Sequence, residues 1–157
     1  MKQLTPLSYF DVEKDLQDWI ENNEEQVCSI LEDVIKAKDV WLYKREAVLN
    51  LVGTPYNQKR VDFWFRGDLV EILVETKNPT ATVDDLQQIL EYMDLMEQRK
   101  KAIYDKASKE VKEQLDKHKI IGVLLAPHIT DNLFRTVRFM RNVYAIESTR
   151  WTYAGRQ

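Results

Sequence analysis

The chain has 157 residues, 44% of them hydrophobic and 31% charged, which is enough to bury one core without staples and reads as a single domain over residues 1–157. Cys28 is its one cysteine, so a disulfide framework is excluded, and no apolar stretch approaches the length of a membrane span. The N-terminus lacks a signal-peptide pattern, and the expected setting is cytoplasmic. The net charge of −3 argues weakly against general coating of nucleic acid, but it is unevenly spread. Residues 1–36 carry nine acids against three bases, and residues 131–157 carry five arginines against Asp131 and Glu147. Local field decides where a polyanion docks, so a localised cleft stays open.

Ser8-Tyr9-Phe10-Asp11 has the form of a capping box, and Val12, Leu16, Trp19 and Ile20 give the stripe of a first helix. Glu13 and Asp15 flank that stripe on opposite sides. Val27, Ile30, Leu31 and Val34 mark a second helix, and Val40–Val52 turns strand-like. A hairpin follows, closed by Pro79. Residues 82–118 contain no Gly or Pro and read as one long helix or two joined ones, with Leu86, Ile89, Leu90, Met93 and Met96 buried. Lys119–Ala126 reads as a buried strand. Thr130 or Asp131 caps a helix to about Asn142, and Val143–Glu147 is the last strand. This order predicts an α/β fold with a mixed central sheet flanked by helices.

The hairpin RVDFWFRGDLVEILVETK carries the chemistry. With Gly67-Asp68 as a two-residue loop, Trp64 faces Glu71 and Asp62 faces Leu73. Side chains alternate, so Glu75 and Lys77 project on the same side as Asp62, while Val61, Phe63, Phe65, Val70, Ile72 and Val74 form an apolar face. Two carboxylates so close repel each other unless a cation sits between them. Hard oxygen ligands favour Mg²⁺ or Mn²⁺, which bind phosphate oxygens and acidify water. A neighbouring lysine adds charge stabilisation. Ordinary ion pairs on a solvated sheet face would give the same tripeptide.

On the following helix, Gln88 and Tyr92 stand at i and i+4, so their polar ends can reach one spot, or form a bland polar flank. Arg135, Arg138 and Arg141 recur every third residue as a basic ridge, suited either to phosphate contact or to a solvated helix face. Arg99-Lys100-Lys101 carries the same ambiguity and could touch DNA beside a scissile bond. His128 reads as structural.

Together these pieces resemble the PD-(D/E)XK nuclease superfamily, the restriction-endonuclease-like fold, and within it the RecB-like branch and the catalytic domain of NucS-type endonucleases. The resemblance runs from about Val12 to Glu147 through LQDWIENNEEQV, RVDFWF, ILVETK, QILEYM and IIGVLLAPHIT. The stretch KRVDFWF…VETKNP is equally similar to the nuclease domain of type I restriction subunits. The resemblance implies a Mg²⁺- or Mn²⁺-dependent DNA endonuclease. Asp62 and Glu75 would be metal ligands with the Thr76 carbonyl as a third, and Lys77 would activate water or stabilise the phosphate. Gln88 and Tyr92 would shape the site, and Glu13, with Asp15 next in line, would complete it from the first helix. DNA is the implied partner, with a homodimer or an additional subunit to supply specificity. The chain departs from the pattern in two respects: Thr76 stands where an apolar residue is usual, and Asn78-Pro79 replaces a common basic residue. The alternative is a non-catalytic nucleic-acid- or protein-binding domain on the same fold.

Overall fold

The computed structural model describes residues 13–49 and 59–156. Helices α1 (Glu13–Asn22) and α2 (Glu24–Ile35) precede strands β1 (Trp41–Leu49), β2 (Lys59–Gly67) and β3 (Val70–Thr76). A short strand β4 (Thr80–Ala81) and a 3-10 turn (Val83–Asp85) lead into α3 (Leu86–Asp105) and α4 (Lys109–Lys117). Then come β5 (Lys119–Ala126), β6 (His128–Ile129), α5 (Asp131–Val137), β7 (Val143–Glu147) and β8 (Thr152–Arg156). The capping box at Ser8–Asp11, Val12, and the predicted strand end at 50–52 lie outside the described residues.

The sheet is mixed, in the order β1-β2-β3-β5-β7-β8. Strands β3, β5 and β7 run parallel, whereas β1, β2 and β8 join antiparallel. This is the α/β architecture the sequence predicts. Both faces are buried. Phe63, Phe65, Val70, Ile72 and Val74 pack with α1 and α2, as Leu16, Ile20, Leu31 and Val34 show. On the other face, Trp64, Leu73, Leu124 and Ala145 pack with Ile89, Tyr92 and Met96 of α3 and Leu133 and Val137 of α5. The charged face of the hairpin is therefore a second core along most of its length. Every residue of β3 is buried, as a strand with helices on both sides requires.

Several expectations are corrected. Val61 joins Ala47 and Leu49 in the α3-side cluster, where the paired strand is irregular at Glu46 (φ 52°). Leu90 is 40% exposed, one position off the stripe that α3 buries. The 82–118 stretch, in contrast, follows one of its two expected forms, two joined helices: it breaks at residues 106–108, where the Ser108 hydroxyl accepts from the Val111 amide and starts a new helix. Thr130 does cap α5, accepting from the Leu133 amide, but the helix stops at Val137 rather than near Asn142. The Phe139 and Met140 amides turn back to the Thr136 and Val137 carbonyls, and Asn142 takes φ 64°. Strand β8, unforeseen in the sequence, covers the edge of β7.

Gly122 lets α3 lie close to the sheet. A Cβ there would stand 2.5 Å from Met93 Sδ and 2.8 Å from Ile89 Cγ1. Gly122→Val should lower unfolding free energy by roughly 1–3 kcal/mol through overpacking, measured by urea titration, and more than Gly122→Ala. Equal stability of Gly122→Val and wild type would contradict this packing.

Candidate active site

The hairpin register differs from the expected one by two residues. Gly67 pairs with Val70, Arg66 with Glu71 and Trp64 with Leu73, so Asp68 and Leu69 make the turn. Gly67 belongs in the strand because the 36–40 segment crosses it closely: a Cβ there would meet Lys38 O at 2.9 Å, and the Asp68 amide donates to that oxygen at 2.8 Å. A two-residue slip leaves each side chain on its expected face. It also extends the register so that Asp62 stands directly across from Glu75.

At that point the ladder is replaced by a reciprocal clasp. The Asp62 amide donates to Glu75 Oε1 at 2.9 Å, and the Thr76 amide donates to Asp62 Oδ2 at 2.8 Å. The Thr76 hydroxyl donates to the same Asp62 oxygen at 2.8 Å and accepts from Gln17 Nε2 at 3.1 Å. Thr76 is wholly buried, so a polar side chain at this position is satisfied on both sides and fixes the Asp62 carboxylate. Arg45 holds Gln17 in turn, its Nη2 at 3.4 Å from Gln17 Oε1, while its Nη1 bridges Asp18 and Glu21.

The remaining groups close round this pair. Lys77 Nζ lies 3.4 Å from Gln88 Oε1 and 3.9 Å from Asp85 Oδ1. Gln88 Nε2 donates to the Tyr92 hydroxyl at 2.8 Å, so the i, i+4 pair meets as its spacing predicts. Asp85 is fixed by the capping box at the head of α3, where it accepts from the Thr82 amide at 2.8 Å. Glu13 enters from the first turn of α1. Its carboxylate accepts from the Asn78 backbone and shares the field of Lys77, Asp62 and Asp85.

The electrostatics follow from burial. Glu75 is 3% exposed, and desolvation, reinforced by Asp62, pushes its carboxyl up to about 8. Burial also raises Glu13, with Asp62 and Asp85 adding to the rise and Lys77 offsetting part of it. The Tyr92 phenol is raised to about 12, first by burial and then by Glu75. Cys28 is buried and its thiol pushed to about 12, consistent with a packing role.

The structure thus brings Asp62, Glu75, Thr76, Lys77, Gln88, Tyr92 and Glu13 to one place. Asp15, the alternative first-helix acid, is exposed. Arg135, Arg138 and Arg141 are all exposed, but only Arg135 lies within α5. Arg138 is its C-cap and Arg141 bridges to Arg156, so they form no continuous helical ridge. Gln17 and Asp85 were missed in the sequence. Gln17 follows Glu13 by one helical turn, and Asp85 follows Thr82 at capping-box spacing, so both left a signal.

A hard divalent cation suits this donor set. Among the described residues no three His, Cys, Asp or Glu side chains are arranged as a metal cage. What the site offers is a carboxylate pair, Glu75 buried and Asp62 half-buried, whose mutual repulsion a cation would relieve. Mg²⁺ commonly uses one or two carboxylates together with water and substrate phosphate.

A mixed sheet with helices on both faces and this charged corner at the end of β2 and β3 is the restriction-endonuclease-like fold. No protein-family model and no curated protein matches the chain. Among solved structures, it is similar to an EndoMS–double-stranded DNA complex, with 18% identity, a TM-score of 0.53, and coverage of 94% of this chain and 49% of that one. It is also similar to a repair endonuclease from Pyrococcus abyssi, with 17% identity, a TM-score of 0.51, and coverage of 90% and 50% respectively. At these identities the likeness shows a shared fold. The chain spans about half the length of each of these structures. No described helix is long and apolar enough to cross a membrane.

Proposed function

We propose that this chain is a Mg²⁺- or Mn²⁺-dependent DNA endonuclease that hydrolyses phosphodiester bonds at the Asp62–Glu75 corner. The observation that carries the reading is the reciprocal clasp: each carboxylate takes the other strand's amide through one oxygen, Asp62 through Oδ2 and Glu75 through Oε1. We assign Asp62 Oδ1 and Glu75 Oε2, with the Thr76 carbonyl, as the metal ligands. A bound Mg²⁺ or Mn²⁺ would act as a Lewis acid toward the scissile phosphate and lower the pKa of an attacking water. Lys77, held between Gln88 and Asp85, places a cation where charge builds on the phosphate. Gln88 and Tyr92 present an amide and a hydroxyl that can orient water or a phosphate oxygen. Glu13 closes the site from α1, and Gln17 keeps Thr76 and hence Asp62 in place. The shared fold with structures of DNA-processing endonucleases supports the same substrate class. Incubation with plasmid, single-stranded and branched DNA in Mn²⁺ tests the reading. Cleavage of at least one substrate is expected, and folded protein that cuts none would contradict it.

Phosphate contact is assigned to Arg135, Arg138 and Arg141, in the net-positive last part of the chain. Helix α5 packs on the same face of the sheet as α3, which carries Gln88 and Tyr92. The triple Arg→Gln variant should weaken DNA binding and reduce the slope of log affinity against log salt by about 3, near one per lost phosphate contact. Its metal-induced rise in melting temperature should match wild type. Unchanged affinity and slope would mean that these arginines are solvated surface.

A further inference from the structure

The face of β2 that carries Asp62 also carries a second recess, of mixed apolar and polar lining, two to four residues further along the strand. It encloses about 220 Å³ and is lined by Tyr43, Trp64, Arg66, Arg99, Lys100 and His118, among others. The Arg99-Lys100 pair belongs to the basic run that the sequence singled out and that the proposed site does not use.

A β-bulge builds its mouth. Leu42 pairs with Phe65 and Lys44 with Trp64, so Tyr43 is the extra residue in β1. Bulges re-aim side chains, and this one sets the Tyr43 ring edge-on to Trp64 with centroids 4.8 Å apart. Tyr43 remains 45% exposed, and the neighbouring Trp41, 48% exposed, stands at 5.7 Å from it. Arg66 lies over the Tyr43 ring, 4.9 Å from its centroid, and the exposed remainder of Tyr43 and Trp41 beside these cations suits a ligand with both a flat π face and negative charge.

The charges fit such a ligand. Glu71 is buried, but its carboxylate is already claimed by Trp64 Nε1 at 2.6 Å and by a two-pronged Arg66 bridge at 2.9–3.1 Å. His118 Nε2 lies 3.5 Å from the same carboxylate. Arg99 lies over the Trp64 ring at 5.5 Å and, among the described residues, forms no salt bridge. Lys100 Nζ donates to the His118 carbonyl at 2.7 Å, at the lining of the recess. Arg99 is seven residues beyond Tyr92 on α3, about 10 Å along the helix, or roughly three nucleotide steps of a B-form strand.

We infer that this recess receives an unpaired nucleotide of the DNA strand, its base against Tyr43 and its phosphate on Arg99 and Lys100. The inference rests on the nuclease reading only for the identity of the strand. Bases inside a duplex have both faces covered and cannot reach Tyr43, so the recess selects substrates with unpaired bases near the cut. Binding in EDTA, where the metal is removed, separates this claim from cleavage. The probe is an oligonucleotide with a single-stranded tail containing 2-aminopurine, compared with the fully paired duplex. Wild type should bind the tailed probe more tightly than the duplex and change the 2-aminopurine emission. Tyr43→Ala should lose about tenfold in affinity for the tailed probe and little for the duplex, while Tyr43→Phe retains binding. Tyr43 is exposed, so melting temperatures should stay close to wild type and exclude misfolding. Equal affinity of wild type and Tyr43→Ala for the tailed probe would overturn the inference, as would failure of wild type to bind it. Sensitivity to Tyr43→Ala without cleavage in Mn²⁺ would uphold the recess and overturn the nuclease reading.

Discussion

Asp62→Asn and Glu75→Gln should each lower Mn²⁺-dependent DNA cleavage on the order of a thousandfold or more, and Lys77→Met by roughly 10²–10³-fold. The amide replacements are chosen because they keep the clasp. After Glu75→Gln the side-chain amide oxygen can still accept from the Asp62 backbone, and after Asp62→Asn the side-chain oxygen can still accept from Thr76. The strands therefore stay paired while the charge is lost. Loss of activity with retained melting temperature would then report on chemistry. Single-turnover cleavage, with circular dichroism melts alongside, measures both. Activity within tenfold of wild type for any of the three would overturn the roles assigned to them.

The second large effect is on stability. Glu75 moves from 4.5 to about 8 on folding, so between those values the folded protein binds more protons than the unfolded chain. By linkage, the stability due to its protonated form is fully present below about pH 4.5 and is lost as pH rises through about 8. The loss has an upper bound of roughly 5 kcal/mol. In EDTA, the melting temperature should therefore fall from pH 5 to pH 8 more steeply for wild type than for Glu75→Gln. Millimolar Mg²⁺ or Mn²⁺ at pH 8 should restore it, by about 2.7 kcal/mol at a hundred times the dissociation constant. A flat pH profile in EDTA would mean that Glu75 is not strained by burial. No response to metal would favour a binding domain without catalysis.

How much of this was legible in the sequence depends on the range of the interaction. Strand alternation is local, so Asp62, Glu75 and Lys77 could be assigned to one face. That survived a register error of two because parity is unchanged. The register itself depended on the 36–40 segment crossing Gly67, a contact between distant parts of the chain. The meeting of Gln88 and Tyr92 was legible because i, i+4 geometry is fixed within a helix. Choosing Glu13 over Asp15 required knowing how α1 lies against the end of β3, which no local pattern encodes. The double role of Thr76 was hidden for the same reason: its partners, Asp62 and Gln17, come from another strand and another helix. Strand β8 escaped because TYAGR is short, carries little apolar alternation and takes its place by pairing with β7. The second core was missed because Trp64 and Leu73 look like interruptions of a polar face until α3 covers them.

The most direct test is crystallographic. Crystals of wild type with a short duplex and Mn²⁺, recorded at the manganese edge, should show an anomalous peak between the Asp62 and Glu75 carboxylates. A DNA phosphate should lie beside it within reach of Lys77. Ordered DNA on another face, or an ordered carboxylate pair without a peak at millimolar Mn²⁺, would contradict the account.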